Sequence, residues 1–319
     1  MGCRLCPRDC NVDRKTGYGY CGMTEHIMAA RAALHMWEEP VISGKNGSGA
    51  VFFSGCPLRC VFCQNHNIAI GKSGKEISME RLVEIFFELE EKGANNINLV
   101  TPTHFVPQIR EAIIRAKKQG FRLPFVYNTG SYEKVETLKS LEGLIDIYLP
   151  DMKYYSAELA NRYAKAPDYF EVAAAAVQEM FRQTGTPQFY REGNLSENVE
   201  YTGEEEDVLM RKGLILRHLI LPGNTEDSKK VLDYAWHTYG NHIYFSIMNQ
   251  YTPVGEQRFE ELRRTVTEEE YESVIDYALE LGVENGFIQE GGTASFASFH
   301  FSNRDSSAGR WLRHIHIWL

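Results

Sequence analysis

Three cysteines stand within the eight residues 56–63 of GCPLRCVFCQN, at Cys56, Cys60 and Cys63. Four more, Cys3, Cys6, Cys10 and Cys21, lie near the start of the chain, and these seven are all the sequence contains. Scattered core cysteines would not divide in this way, and the residue types favour metal chemistry over disulfides. A closed zinc site or a fully capped four-iron cluster takes four protein ligands. The three-cysteine loop is one short. Three thiolates can hold three corners of a cubane and leave one iron open, and an open metal position is where a non-protein ligand binds. The competing arrangement is a zinc site completed by His66. In the N-terminal group the spacing is C-x2-C-x3-C-x10-C with interspersed glycines. Zinc and a second iron–sulfur cluster both suit those ligands, although the spacing is not a standard ferredoxin run.

Such residues need elements to position them. AVFFSG (50–55) reads as a buried strand running into the cysteine loop. SMERLVEIFFELEEKG (78–93) predicts a helix with Ser78 as N-cap and Gly93 as stop. INLV (97–100), FVY (125–127), IDIYL (145–149), LILRHLIL (214–221) and IYFSI (243–247) predict further strands. Helical patterns separate them over 106–120, 132–140, 167–184 and 226–238, and 267–282 opens with a capping-box pattern at Thr267 and Glu270. Apolar strands alternating with helices predict an α/β protein with a mostly parallel sheet covered on its outer face. About six βα units fall short of the eight of a closed barrel, so the expected form is a partial (β/α)6-type, TIM-like barrel. Functional residues then belong at the C-terminal strand ends, where the cysteine loop sits.

Composition limits the function classes. The chain has 319 residues and a formal net charge of −9, which argues against nucleic acid as the main partner. No apolar run approaches the roughly 18 residues of a membrane span, and the most apolar segment, GLILRHLILPG, carries Arg217 and His218. MGCRLCPRDC has no apolar signal region, and Cys6 stands where a myristoylation motif needs Ser or Thr. A cytoplasmic protein with no membrane association is expected. GYGYCG (17–22) fits a dinucleotide pattern formally but follows no strand, and GKSGK (71–75) lacks P-loop spacing.

The C-x3-C-x2-C motif with Phe62 before its last cysteine resembles the signature of radical S-adenosylmethionine (SAM) enzymes. SGKNGSGAVFFSGC, DIYLPDMKYY and LRHLILPGN are similar to stretches of glycyl-radical-enzyme activating enzymes, typified by the pyruvate formate-lyase activating enzyme. A bacterial activase-like branch of that group also carries an N-terminal C-x2-C-P-R-x-C segment. The resemblance spans roughly residues 40–292. It implies a [4Fe-4S] cluster on Cys56, Cys60 and Cys63 with SAM at the free iron. Reduction by flavodoxin or ferredoxin then cleaves SAM to methionine and a 5′-deoxyadenosyl radical, the radical chemistry belonging to the cofactor. In the activases that radical removes hydrogen from a glycine of a partner protein.

The resemblance also suggests SAM contacts. Phe62 is a candidate to pack on adenine, with an ordinary core role as its alternative. The superfamily usually has Gly-Gly-Glu after the second strand, where this chain has LVTPTH; Thr101 and Thr103 are candidate acceptors for the SAM ammonium, and Thr103 is also a candidate helix cap. Asn128 is a candidate ribose or cation contact, or a turn residue. Asp151 and Lys153 match an Asp-x-Lys segment suited to a cation and the SAM carboxylate, against the alternative of a surface ion pair. Arg217 matches an arginine pointing into the barrel, where it needs an acidic partner. His35 and His104 are expected to be structural.

Three parts are expected: a cysteine-rich metal-binding segment at 1–48, the barrel at 49–292, and an atypical tail at 293–319. FIQEGGTAS (287–295) looks like the family, whereas the residues after it suggest a reading-frame change or a cloning remnant. The expected function is a radical SAM enzyme acting on a glycyl radical enzyme. Its alternatives are a radical SAM modifier of a peptide or small molecule, and a non-catalytic iron–sulfur or zinc electron-relay protein.

Overall fold

The computed structural model describes residues 2–203, 205–289, 296–299 and 316–317. In chain order the elements are β1 (Met28–His35), α1 (Pro40–Ser43), β2 (Ser48–Phe53), α2 (His66–Ala69), β3 (Lys75–Glu76), α3 (Met79–Glu91), β4 (Ile97–Val100), α4 (Val106–Lys118), β5 (Phe125–Thr129), α5 (Val135–Lys139) and β6 (Ile147–Pro150). They continue with α6 (Ala157–Ala164), α7 (Tyr169–Thr184), β7 (Gln188–Arg191), β8 (Asn194–Val199), β9 (Val208–Leu219), α8 (Thr225–Tyr239), β10 (Tyr244–Met248), α9 (Glu268–Leu281), β11 (Gly286–Gln289), β12 (Phe296–Phe299) and β13 (His316–Ile317).

β2, β4, β5, β6, β9, β10 and β11 pair in parallel, each with the next in sequence. An order that never reverses distinguishes this sheet from a doubly wound one, because right-handed crossovers then put every helix on the same face. The sheet does not join β2 to β11; antiparallel β1 and β3 extend one edge, and β12 and β13 the other. This is the expected partial barrel, with one more parallel strand than the sequence predicted. That strand, β11, runs from Gly286 into the start of FIQEGGTAS. Of the tail at 293–319, only β12 and β13 fall among the described residues.

Two apolar clusters mark the two faces. Val51, Leu99, Phe125, Tyr127, Leu216 and Ile247 pack outward against Leu82, Phe86, Ile109, Ile113, Val177 and Val231 of the helices. Val126, Ile147, Leu149, Ile215, Tyr244 and Phe287 form a separate inner cluster with Val41 and Ile42 of α1. Strand periodicity therefore places Asn128 in line with Val126, and Arg217 with Ile215, on the inner face toward the C-terminal ends. Helix limits follow local chemistry. Ser78 Oγ accepts from the Arg81 N–H at 3.1 Å, and the capping box at Thr267 and Glu270 is formed. The helix expected over 132–140 shrinks to α5, because Ser131 adopts a positive φ and the next residues turn inward.

Phe86 is fully buried between Phe121 and Phe125 on the helix face. Phe86→Ala should cost about 3–5 kcal/mol of stability in denaturant unfolding, with iron content per folded protein unchanged.

Candidate functional site

The cysteine loop leaves β2 through Ser54 and Gly55. Gly55 has φ +87°, and a Cβ there would meet Met23 Cγ at 2.5 Å and the Cys21 carbonyl oxygen at 2.7 Å. Only glycine lets the loop and the N-terminal segment approach this closely. Arg8 fastens the same contact: its Nε donates to the Pro57 carbonyl at 2.8 Å, its Nη2 to the Ala164 carbonyl at 2.7 Å, and its Nη1 to the Lys165 carbonyl. The Arg8 guanidinium also lies over Tyr20 and Tyr132. On the other side of the loop, the Gln64 amide donates to the Gln250 carbonyl at 2.8 Å.

Cys56, Cys60 and Cys63 line one cavity of about 250 Å³ together with Phe62, Thr101, Thr103, Asn128, Thr129, Asp151, Lys153 and Arg217. The structure thus brings together every candidate residue read from the sequence outside the N-terminal group. Backbone N–H groups of Leu58 and Arg59 reach the Cys56 sulfur, and that of Asn65 reaches Cys63. Burial pushes the Cys60 thiol up to about 12, with Lys153 opposing it. Such thiols become thiolates when a cation binds them, which fits a metal cluster as occupant. His66 is exposed and does not line the cavity. Among the described residues no three His, Cys, Asp or Glu side chains close on a point suited to a single metal ion.

The cavity floor is an ionic network. Arg217 Nε donates to Asp151 Oδ1 at 2.7 Å, Nη2 to Asn128 Oδ1 at 2.7 Å and Nη1 to Glu38 Oε2 at 3.2 Å. Lys153 Nζ donates to Asp151 Oδ2 at 2.6 Å. The Asp151–Lys153 pair is largely buried, unlike an exposed surface pair, with side-chain exposures of 16% and 17%. Burial opposes the Asp151 charge, but Arg217 and Lys153 outweigh it and lower the carboxyl pKa. The Tyr169 hydroxyl accepts from the Lys153 N–H at 2.9 Å and lies 3.0 and 2.8 Å from the Gly130 and Asp151 carbonyls, tying the ends of β5 and β6 to α7. Asn128 belongs to β5 itself and faces Arg217. Phe62, 5% exposed, meets Tyr154, Tyr163 and Tyr251 edge-on, so most of its surface is spent on core contacts.

Sequence reading missed Glu38, Glu39 and Glu133, all buried. Glu38 and Glu39 enter the barrel interior between β1 and α1, where their only sequence signal was an acidic pair before Pro40. Glu133 Oε1 accepts from Thr103 at 2.6 Å and Thr129 at 2.5 Å. His104 is structural, as expected: Nε2 lies 2.7 Å from the Ser54 carbonyl, and burial pushes its pKa down to about 3. His35 lies beside Glu38 outside the cavity lining.

In the N-terminal group the sulfurs of Cys6, Cys10 and Cys21 face the N–H groups of Arg8, Val12 and Met23 respectively, each two residues on. Cys3 and Cys10 are hydrogen-bonded. A Cβ at Gly19 would sit 3.2 Å from Cys21 Sγ and 3.6 Å from Cys10 Sγ.

Two outcomes are expected from the buried charges. Arg217→Met leaves Asp151 and Glu38 without their shared cation and should destabilise the fold by about 3–5 kcal/mol in chemical unfolding. Burial raises Glu39 and Glu133 from 4.5 to about 7. Both hold a proton in the folded state over a range where the unfolded chain has lost it, so their contribution declines as pH rises from about 4.5 to about 7 and then levels. Glu133→Gln should flatten the fall in thermal midpoint across that window.

Residues 50–188 match the Radical SAM superfamily model. An uncharacterized protein of Methanocaldococcus jannaschii is 26% identical over 287 residues, covering 86% of this chain and 74% of its own. Streptococcus suis SuiB bound to precursor peptide SuiA aligns with a TM-score of 0.49 at 15% identity, over 74% of this chain but only 46% of SuiB. A domain of the pyruvate-formate lyase-activating enzyme from Bacteroides vulgatus gives a TM-score of 0.38 at 11% identity, over 58% of this chain and 91% of that domain. Among the described residues no helix is long and apolar enough to cross a membrane. The three-cysteine loop lies inside the matched segment, so residues 50–188 are similar to the Radical SAM superfamily.

Proposed function

We propose that this protein reductively cleaves SAM and directs the resulting radical at a glycine of a partner protein, in the manner of a glycyl-radical-enzyme activase. The observation that carries the first half is the sharing of one cavity by Cys56, Cys60, Cys63, Asp151, Lys153 and Arg217. Bound there, a [4Fe-4S] cluster and SAM supply a 5′-deoxyadenosyl radical on one-electron reduction by flavodoxin or ferredoxin. The chain's own residues do the positioning. Cys56, Cys60 and Cys63 hold three irons; Lys153 offers its ammonium to the SAM carboxylate, with Asp151 and Arg217 fixing its place; Thr101 and Thr103 offer acceptors to the ammonium. Asn128, turned by Arg217, and Phe62 complete the walls, and Leu219 and Met248 exclude water. The second half rests on the likeness of three sequence stretches to the activases, and its partner is a protein or peptide carrying the target glycine.

Cys3, Cys6, Cys10 and Cys21 are proposed to hold a second metal, either zinc or an iron–sulfur cluster. Sulfurs accepting N–H groups two residues ahead, and a glycine that leaves room between two of them, support this assignment.

After anaerobic reconstitution, dithionite and SAM should yield 5′-deoxyadenosine, and Cys60→Ser should abolish it. Intact SAM beside a reduced cluster would instead favour electron relay. An electron-spin signal on a partner's glycine selects the activase over a peptide or small-molecule modifier. Cys6→Ser should lower bound zinc or iron while leaving the cluster signal of the barrel loop, read by metal analysis and electron-spin resonance; loss of no metal would remove the second site.

A further inference from the structure

Thr101, Thr103 and Thr129, at or just beyond the ends of β4 and β5, line the cavity. Two of these hydroxyls share one acceptor. Thr103 and Thr129 both donate to Glu133 Oε1, at 2.6 and 2.5 Å. A threonine hydroxyl has one proton and two lone pairs. With both protons committed to Glu133, the hydroxyls can only accept from anything in the cavity. Glu133 is 1% exposed, its Oε2 has no hydrogen bond, and its neighbours are the hydroxyls of Thr103, Thr129 and Tyr127 rather than any basic side chain. A buried acid with no cation of its own, set directly behind an acceptor-only wall, is arranged for positive charge arriving from the cavity side.

The backbone beside it is strained in the same place. Thr101 has φ +57° and Ser131 φ +62°. A β-branched residue in the left-handed region costs about 1–2 kcal/mol. The Thr101 N–H donates to the Asn128 carbonyl at 2.9 Å, which holds the β4 end in this course against the β5 end.

We propose that Glu133 is a positioning residue that fixes Thr103 and Thr129 as acceptors toward the cavity, so that this wall binds the cationic nitrogen of a ligand. Lys153, which lines the same cavity, suits an anion, so the two together read a zwitterion such as an α-amino acid group. This rests on the SAM reading of the cavity and names the residue that sets the polarity of one of its subsites.

The test compares binding of SAM and of its desamino analogue, in which hydrogen replaces the α-amino group, to the cluster-loaded full chain by anaerobic equilibrium dialysis. Glu133→Leu, which removes the shared acceptor and frees both hydroxyl protons, should weaken SAM roughly tenfold and leave the analogue's affinity unchanged, because a hydrogen bond to a charged group is lost in one case only. Thr103→Val should act in the same direction, with the thermal midpoint confirming that both variants fold. A parallel loss of both ligands in the variants, or equal binding of the two by the unaltered chain, overturns the role of Glu133 alone. Binding of neither by the unaltered chain overturns the SAM reading of the cavity together with it.

Discussion

A single guanidinium, that of Arg217, balances the charges inside the barrel. It bonds Asp151 at the end of β6, Asn128 in β5 and Glu38 from the segment before α1. Removing a buried ion from such a network strands its partners, which costs far more than the network contributes net. The arrangement therefore says less about stability than about placement. Asp151, gripped on one oxygen by Arg217, offers the other to Lys153, so a long and flexible lysine is held at the cavity edge. The position of Lys153, a cation that lines the cavity, is thus set through Asp151 by Arg217.

Much of this was readable from residue types. The parallel strands announced themselves as short apolar runs between amphipathic helices, with Asp151 and Lys153 just past the end of one predicted strand and Arg217 within another. What could not be read was the antiparallel edge. β1 is an alanine-rich strand, MAARAALH, with no turn residues or clear alternation to separate it from a helix. The hairpin of β7 and β8 and the first half of β9 were hidden for a related reason: QFYR, NLSENV and VLMRKG mix apolar and polar residues over runs too short to show a period. Glu38 and Glu39 passed unread, since nothing local signals that a segment will turn into a barrel. Glu133, read only as part of a helix that proves shorter, takes its importance from two threonines on other segments.

Strain gathers where the chain meets the cavity. Arg59, Thr101 and Ser131, three of the non-glycine residues with positive φ, lie in the cysteine loop, at the end of β4 and just beyond β5. The cost of each is met by the packing around it, from the Arg8 contacts on one side to the Tyr169 hydroxyl on the other. The outcome is a rim whose backbone course is set before any ligand arrives.

The Arg8 clasp has a consequence for how the molecule is made. Its acceptors at Ala164 and Lys165 lie 156 and 157 residues further along the chain. While the ribosome is still producing the first half of the protein, Arg8 can reach only one of its three acceptors, the Pro57 carbonyl. Only when the sixth helix emerges can that hook snap shut over the second cysteine loop, so the N-terminal segment reaches its final seat late in synthesis.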